Sequence, residues 1–518
     1  MSRIYRFSFL LSITTLLSGA GVSHAAVYAA KGGAAKENHL QKNNKKTNKK
    51  KELFVSSTSE QFSVSGKRLV RGAVETVSQK LLSQAPAGTN PMKVLATLPG
   101  VMFQSDDPQG LNTWSVQIFM HGFQAQELGM TLDGMPLGEL AYRNYNGLNP
   151  VMAISSENVE RVNVSQSAGA EDVASTNNLG GTLAYISSDP HEKTGGTIRQ
   201  GFGSYNNFHT FIRMDSGDLN RSGSKFYMSY MRNDGQLWKG YGNQFNQQVN
   251  AKFVQPIGND SKISAFFDWS DIHQFTLPDA SPEVIQNLGY NVPDYYNGRQ
   301  SGLQAAINAA NGIYPAGFEK LSDKTDSAYY EATNNTQDLF GGIKADLKIN
   351  DRLTWNTTAY GHGETNQTTW TTPYYPSPNG SPLSELVKEP EIRRFGITSQ
   401  LHYNIAHNEI SGGVWYENNT YLSPMSAYSM PNIIDGKMTS SLPAPLGSWK
   451  NPFAKIYNQN YSTNTFTAFV NDTYHVFHNL ALHFGFKSVL STTRVGDGYL
   501  NQDYYGAGSR ITSSEGLT

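Results

Sequence analysis

The chain of 518 residues contains no cysteine, so neither a disulfide framework nor a thiolate metal site can organise it. Charge is scarce as well: Asp, Glu, Lys and Arg make up 16% of the residues and nearly cancel, leaving a net charge of −1. No field of one sign is available to hold a nucleic acid. Past the first residues, no apolar run is long enough to cross a bilayer as a helix. Enzyme chemistry also lacks a constellation. Asp133 has no paired carboxylate or nucleophile near it, and His121 has no ligand-type residue at i+2 or i+4.

What is present is polarity without charge. Aromatic residues reach 12%, glycines number 48, and Asn, Gln, Ser, Thr and Tyr carry most of the hydrophilic character. Arg3 and Arg6 precede an apolar run from Phe7 to Leu17, and Ser23-His24-Ala25 puts small residues at −3 and −1. This predicts an export signal over 1–25, its apolar run being shorter than the roughly 20 residues of a spanning helix. Residues 26–51 follow with eight lysines and almost nothing to bury, which predicts a disordered, solvated arm. Directly after it, Leu53-Phe54-Val55 forms an isolated strand-forming patch.

Residues 67–190 read as a small α+β module. Short strands are expected at Ser115 to Phe119, Met130 to Leu132, Val159 to Val164 and Thr182 to Ser187. A helix is expected from Pro91 to Leu98, capped by Asn90 and stopped by Pro99-Gly100. Asp133-Gly134 suits a hairpin turn, and Gly180-Gly181 precedes the last strand of the module.

Residues 191–518 change to long alternating segments. In "LFGGIKADLKIN", Leu339, Gly341, Ile343, Ala345, Leu347 and Ile349 share one face, with Lys344, Asp346 and Lys348 on the other. In "QFNQQVNAKFVQP", Phe245, Val249, Ala251 and Phe253 oppose Asn246, Gln248, Asn250 and Lys252. Very short connections, such as Asn350-Asp351 and Ala406-His407-Asn408, alternate with long ones rich in Tyr, Pro, Asn and Gly at Gln274 to Asn335, Thr371 to Glu391 and Ser423 to Asn460. A soluble β-sandwich also alternates. The export signal, the strand lengths and the aromatics at strand ends favour an antiparallel transmembrane β-barrel with its apolar face in lipid. About eleven strands are expected. The count is odd and no final amphipathic strand follows, so a fragment or a truncated, inactive product is expected.

Five plug-like segments, "NPMKVLATLPGV", "VQIFMHGF", "MTLDGMPL", "VERVNVSQSAGA" and "NNLGGTLAYISSDP", and the barrel segment "FTAFVNDTYHVFHNLALHFGFK", carry a resemblance in this order and spacing. The chain resembles a TonB-dependent outer-membrane receptor, in which an N-terminal plug fills a barrel of 22 strands. Two departures stand out. His121 precedes Gly122-Phe123 where the family often has Arg, and Ser165-Gln166-Ser167-Ala168 stands where Arg-Gly-Pro is common.

The resemblance implies active uptake of a bulky nutrient across the outer membrane of a Gram-negative bacterium. A ferric siderophore is the first expectation; cobalamin, haem or a glycan are alternatives within the same mechanism, and a passive porin or adhesin is the alternative outside it. It implies that Glu52, Leu53, Phe54, Val55 and Ser56 form a TonB box, within 52–57, adding as an edge strand to the TonB energy-coupling protein. It implies no resident cofactor, iron entering only within the chelate, and contact with outer-membrane lipid. Apical plug segments Phe103 to Trp114 and Glu139 to Gly147 would meet the ligand. Gln104, Trp114, Tyr142, Arg143 and Tyr145 are the candidates there, aromatics and an Arg suiting a large, flat, often anionic ligand.

Overall fold

The computed structural model describes residues 74–500 except 139–146, 167–169, 239, 259, 277–281, 289–298, 315, 323, 330, 444–446, 448, 478–479 and 497. The expected export signal, lysine arm and TonB box lie outside the described residues.

The N-terminal layer contains β1 (Val74–Ser78), α1 (Gln79–Leu82), α2 (Pro91–Leu95), β2 (Val101–Gln104), β3 (Gln117–Met120), β4 (Phe123–Gln124), β5 (Leu128–Leu132), β6 (Met135–Pro136), α3 (Pro150–Ala153), β7 (Val159–Ser165) and β8 (Gly181–Ser187). Five strands form one sheet in the order β1-β7-β8-β5-β6, with only β5 and β8 parallel. Strands β2, β3 and β4 form a second, small sheet.

Local chemistry sets several of these boundaries. Asn90 and Asn149 each accept a backbone N–H in the first turn of the following helix, and Pro91 and Pro150 occupy the position where no donor is needed. Helix α2 ends at Leu95 rather than Leu98. Ala96, Thr97 and Leu98 donate to carbonyls three residues back, so the last turns tighten before Pro99 forces the chain out. The strand expected from Ser115 begins at Gln117, because the amides of Ser115 and Val116 turn back to the Asn112 carbonyl. Asp133 and Gly134 both adopt positive φ, 51° and 87°, which makes the β5–β6 connection a tight two-residue hairpin.

Beyond this layer, one antiparallel sheet runs through β9 (Thr194–Gly203), β10 (Asn207–Ser216), β11 (Lys225–Gln236), β12 (Asn243–Ile257), β13 (Ser261–Phe275), α4 (Pro282–Leu288), α5 (Arg299–Ala310), β14 (Ala332–Lys348), β15 (Leu353–Thr372), β16 (Ser384–Lys388), β17 (Glu391–Ile405), β18 (Asn408–Ser429), β19 (Ile433–Ile434), β20 (Lys437–Met438), β21 (Ala454–Phe477), β22 (Leu480–Val495) and β23 (Tyr499–Leu500), the helices and β19–β20 standing in its connections. Among the described residues, eleven strands have ten or more residues. The path is open, with β9 and β22 at its ends.

The sheet is inside out. Ile198, Phe202, Met214, Ile343, Phe395 and Phe486 are exposed on its outer face, while Asn246, Gln248, Asn250, Asp268, Asp338 and Arg394 are buried on the inner one. Water would penalise such an outer face, and hydrocarbon would not. The strands cross a membrane.

The long connections hold more structure than their composition suggests. Strand β16 lies inside the stretch expected to be a loop, pairing with the upper parts of β15 and β18 just before β17 takes over the same neighbours. Pro390 interrupts what would otherwise be one strand. Strands β18 and β21 also reach further than expected, to Ser429 and from Ala454. Leu303, Ala306 and Ile307 of α5 pack with Leu237, Phe275, Leu383 and Met430 into a small apolar core at the long-loop end.

Candidate functional site: the plug and its seat

The principal core spans both layers. Met130, Leu132, Met135 and Leu137 of the N-terminal layer share a buried cluster with Phe266, Ile272, Phe340 and Tyr360 of the wall. The N-terminal layer is therefore a plug, seated against the inner face of the sheet. Gly342 lets it approach: a Cβ there would lie 2.6 Å from the Met135 sulfur.

Most other contacts between plug and wall are polar. Arg394, buried on β17, donates to the carbonyls of Pro136 at 3.4 Å and Leu137 at 2.9 Å, and to Glu417 at 3.2 Å. On the opposite flank, Asn158 donates to Ser229 at 2.7 Å and Asn250 at 2.9 Å. Glu157 meets His209 at 2.8 Å; burial would raise its pKa, but the bond to the imidazole lowers it below the usual range. Arg213 reaches Ser188 at 2.5 Å and the Asp189 carbonyl at 3.1 Å.

At the short-turn end, Lys252 is 2.7 Å and Lys262 3.0 Å from Asp189, and Lys252 lies 3.7 Å from Asp133. Burial opposes ionisation of Asp189, yet the two ammonium groups hold its carboxyl well below the usual range. Asp133 thus does more than turn the chain: it also accepts from the backbone N–H of Ser187 at 3.0 Å.

At the long-loop end, the plug segment 104–115 is folded around two carboxylates. Asp107 accepts the backbone N–H groups of Gln109, Leu111 and Asn112. Asp106 accepts from Ser115 and Asn112 at 2.7 Å each, and burial pushes its carboxyl up to about 6 against those bonds. Gln274, Asn334 and Trp238 hold this segment to the wall through Leu111, Thr113 and the Asp106 carbonyl. The segment expected to be apical therefore sits at the long-loop end. Gln104 is exposed at the end of β2, and Trp114 is half-buried, its backbone N–H donating to the Asn112 side-chain oxygen. Tyr142, Arg143 and Tyr145 lie outside the described residues.

Asp338, His362 and Glu364 bring ligand-type atoms within 4.8 Å of one another. Both ring nitrogens of His362 are already engaged, Nδ1 at 2.9 Å from the Arg394 Nε and Nε2 at 2.6 Å from Asp338. A guanidinium only donates, so Nδ1 accepts and Nε2 carries the proton given to Asp338. No imidazole lone pair remains for a cation, and the group instead holds Arg394 in place. Sequence reading passed over Arg394; its parity on β17, opposite to Phe395, was the available signal.

The two departures from the family pattern meet. His121 Nε2 lies 2.7 Å from the Gln166 side chain, so the two segments that depart from the family pattern contact each other here. His121 and Gly122 form the β3–β4 turn, both at positive φ.

A plug domain seated inside an antiparallel membrane-barrel wall is the fold of the TonB-dependent receptors, and this chain has that fold. The family model described as TonB-dependent Receptor Plug Domain matches residues 67–182. No curated protein matches the sequence. Among solved structures, the open form of the ferric-catecholate import receptor Fiu from E. coli K12 is 15% identical with a TM-score of 0.58, over 86% of this chain and 63% of that one. The unliganded ferric citrate transporter FecA is 12% identical with a TM-score of 0.58, over 83% and 58%. The pyoverdine receptor FpvA from Pseudomonas aeruginosa PAO1 is 13% identical with a TM-score of 0.55, over 83% and 58%. The matched region thus spans between half and two thirds of these receptors.

Proposed function

We propose that this chain provides the plug and barrel strands of a receptor that imports a ferric chelate, a siderophore complex, across the outer membrane, driven by a TonB protein that engages Glu52 to Ser56. The observation that carries this reading is the seat of the plug: a folded domain held in a membrane barrel by many exchangeable hydrogen bonds. A passive pore needs no such domain. The cargo class is suggested by the relatives, whose names specify ferric catecholate, ferric citrate and pyoverdine.

In the mechanism we infer, the chelate lands at the long-loop end against Gln104, Trp114, Tyr142, Arg143 and Tyr145. The periplasmic partner pairs with the Glu52 to Ser56 segment as an added strand and draws the plug from its seat. Work arrives by pulling because the outer membrane has no nucleotide supply.

Uptake and surface binding of radiolabelled ferric siderophores test both halves. Val55→Pro removes a ladder donor. Uptake should be lost while surface binding persists, and normal uptake in that variant would refute the handle. Growth indifferent to the gene on every ferric siderophore would remove iron as the cargo, and uptake insensitive to an uncoupler would indicate a passive pore.

A further inference from the structure

Strands β9 to β13 and plug residues 86–111 enclose a cavity of about 470 Å³ toward the long-loop end. That volume is within the roughly 300–1,000 Å³ of small-molecule sites. Asn246 lines it from the inner face of β12 and is 1% exposed, yet neither its Oδ1 nor its Nδ2 has a hydrogen-bond partner among the described residues. The Nε2 of Gln244, two residues along the same face, is likewise without one. Buried amides without partners are unfavourable, and each amide offers donors and acceptors together.

The cavity has no charge to spare. No Lys or Arg is among its described lining residues. Asp107 is occupied by backbone amides, Asp234 by Arg232, and His209 by Glu157 and Asn233. Trp238 stands at the rim, pinned through its indole N–H to the Asp106 carbonyl at 2.7 Å. Tyr205 stands there too, more than half exposed and held at a φ of 58°, which a bulky residue rarely adopts.

Building on the chelate-import reading, we propose that this cavity is a recognition subsite for an uncharged ligand rich in hydroxyl or amide groups, so that the part of the chelate seated here is neutral and not polyanionic. A ferric tris-catecholate carries three negative charges, and this cavity would desolvate them beside the Asp107 and Asp234 carboxylates, with no Lys or Arg among its described lining residues. A ferric tris-hydroxamate is neutral, because three singly charged hydroxamates balance the iron. Its amide-like groups match the open valences of Asn246 and Gln244.

Binding to the detergent-solubilised chain, by calorimetry, tests this with three probes: the ferric complex of a cyclic trihydroxamate, a ferric tris-catecholate, and maltotriose as an uncharged hydroxyl-rich solute without iron. The trihydroxamate complex should bind, and Asn246→Leu should weaken it roughly tenfold. The melting temperature should hold or rise in that variant, since leucine removes a buried amide without partners at similar volume; a purely structural asparagine would not separate the two readouts. Unchanged affinity in Asn246→Leu would overturn the subsite. Tighter binding of the tris-catecholate would overturn the neutral-ligand inference and leave iron import standing. Binding of maltotriose alone would uphold an uncharged-ligand site and remove iron as the cargo. Binding of none of the three would overturn the inference.

Discussion

Arg393 and Arg394 are neighbours in sequence and opposites in space. The first side chain is 81% exposed, whereas the second is fully buried against the plug. Period-two geometry separates them, and a parity argument from Phe395 would have done so from sequence; what no sequence shows is that Arg394 reaches backbone carbonyls some 257 residues away. Arg394→Met should cost about 3–5 kcal/mol, since it strands buried Glu417 and two carbonyls. The check is thermal unfolding together with protease sensitivity of the Met135–Leu137 region, and wild-type values in both would exclude a latch. Asp106 gives a pH prediction. Its folded pKa of about 6 exceeds the ordinary 3.8, so the folded segment binds the extra proton between those values. The stability that Asp106 contributes to the 104–115 segment is fully present below pH 4 and lost as pH rises through 6. Amide exchange there should quicken from pH 5 to 7.5 after correction for intrinsic rates, and Asp106→Asn should flatten the difference.

At the scale of elements, the strands were legible because lipid and lumen impose opposite demands on alternate residues. The faces read from "LFGGIKADLKIN" and "QFNQQVNAKFVQP" agree with the exposed Leu339 and Ile343 and the buried Asn246 and Lys252. Ile343→Arg should therefore cost about 2–4 kcal/mol near the bilayer midplane. Folding yield into vesicles would measure it, with Ile343→Leu as the nearly neutral control on the same face. The loops were less legible. Helix α5 carries Leu303, Ala306, Ile307 and Ala310 at helical spacing, but small residues and flanking Asn and Gly dilute that signal. Strand β16 was hidden because its burial arises from neighbours distant in sequence.

At the scale of the molecule, the missing cysteines become an asset. Asn158→Cys with Ser229→Cys would place two thiols across the seat in an otherwise thiol-free chain, at a contact where the plug and wall side chains already meet at 2.7 Å. On the proposed import reading, oxidation should reduce uptake to background, and a reductant should restore it. Undiminished uptake in the cross-linked form would mean that this part of the plug stays seated throughout transport.

The chemistry of the seat also bears on friction. A wall that gripped its plug mainly through apolar faces would resist sliding, because every displaced face would have to meet water. A typical hydrogen bond contributes only about 0.5–1.5 kcal/mol net, since water replaces the lost partner. Asn250, Gln274, Asn334 and Gln248 can therefore release the plug one at a time and be rewetted behind it. On the import reading proposed above, the inner face is a lubricated track, along which a moving plug and a hydrophilic solute pass over the same row of amides.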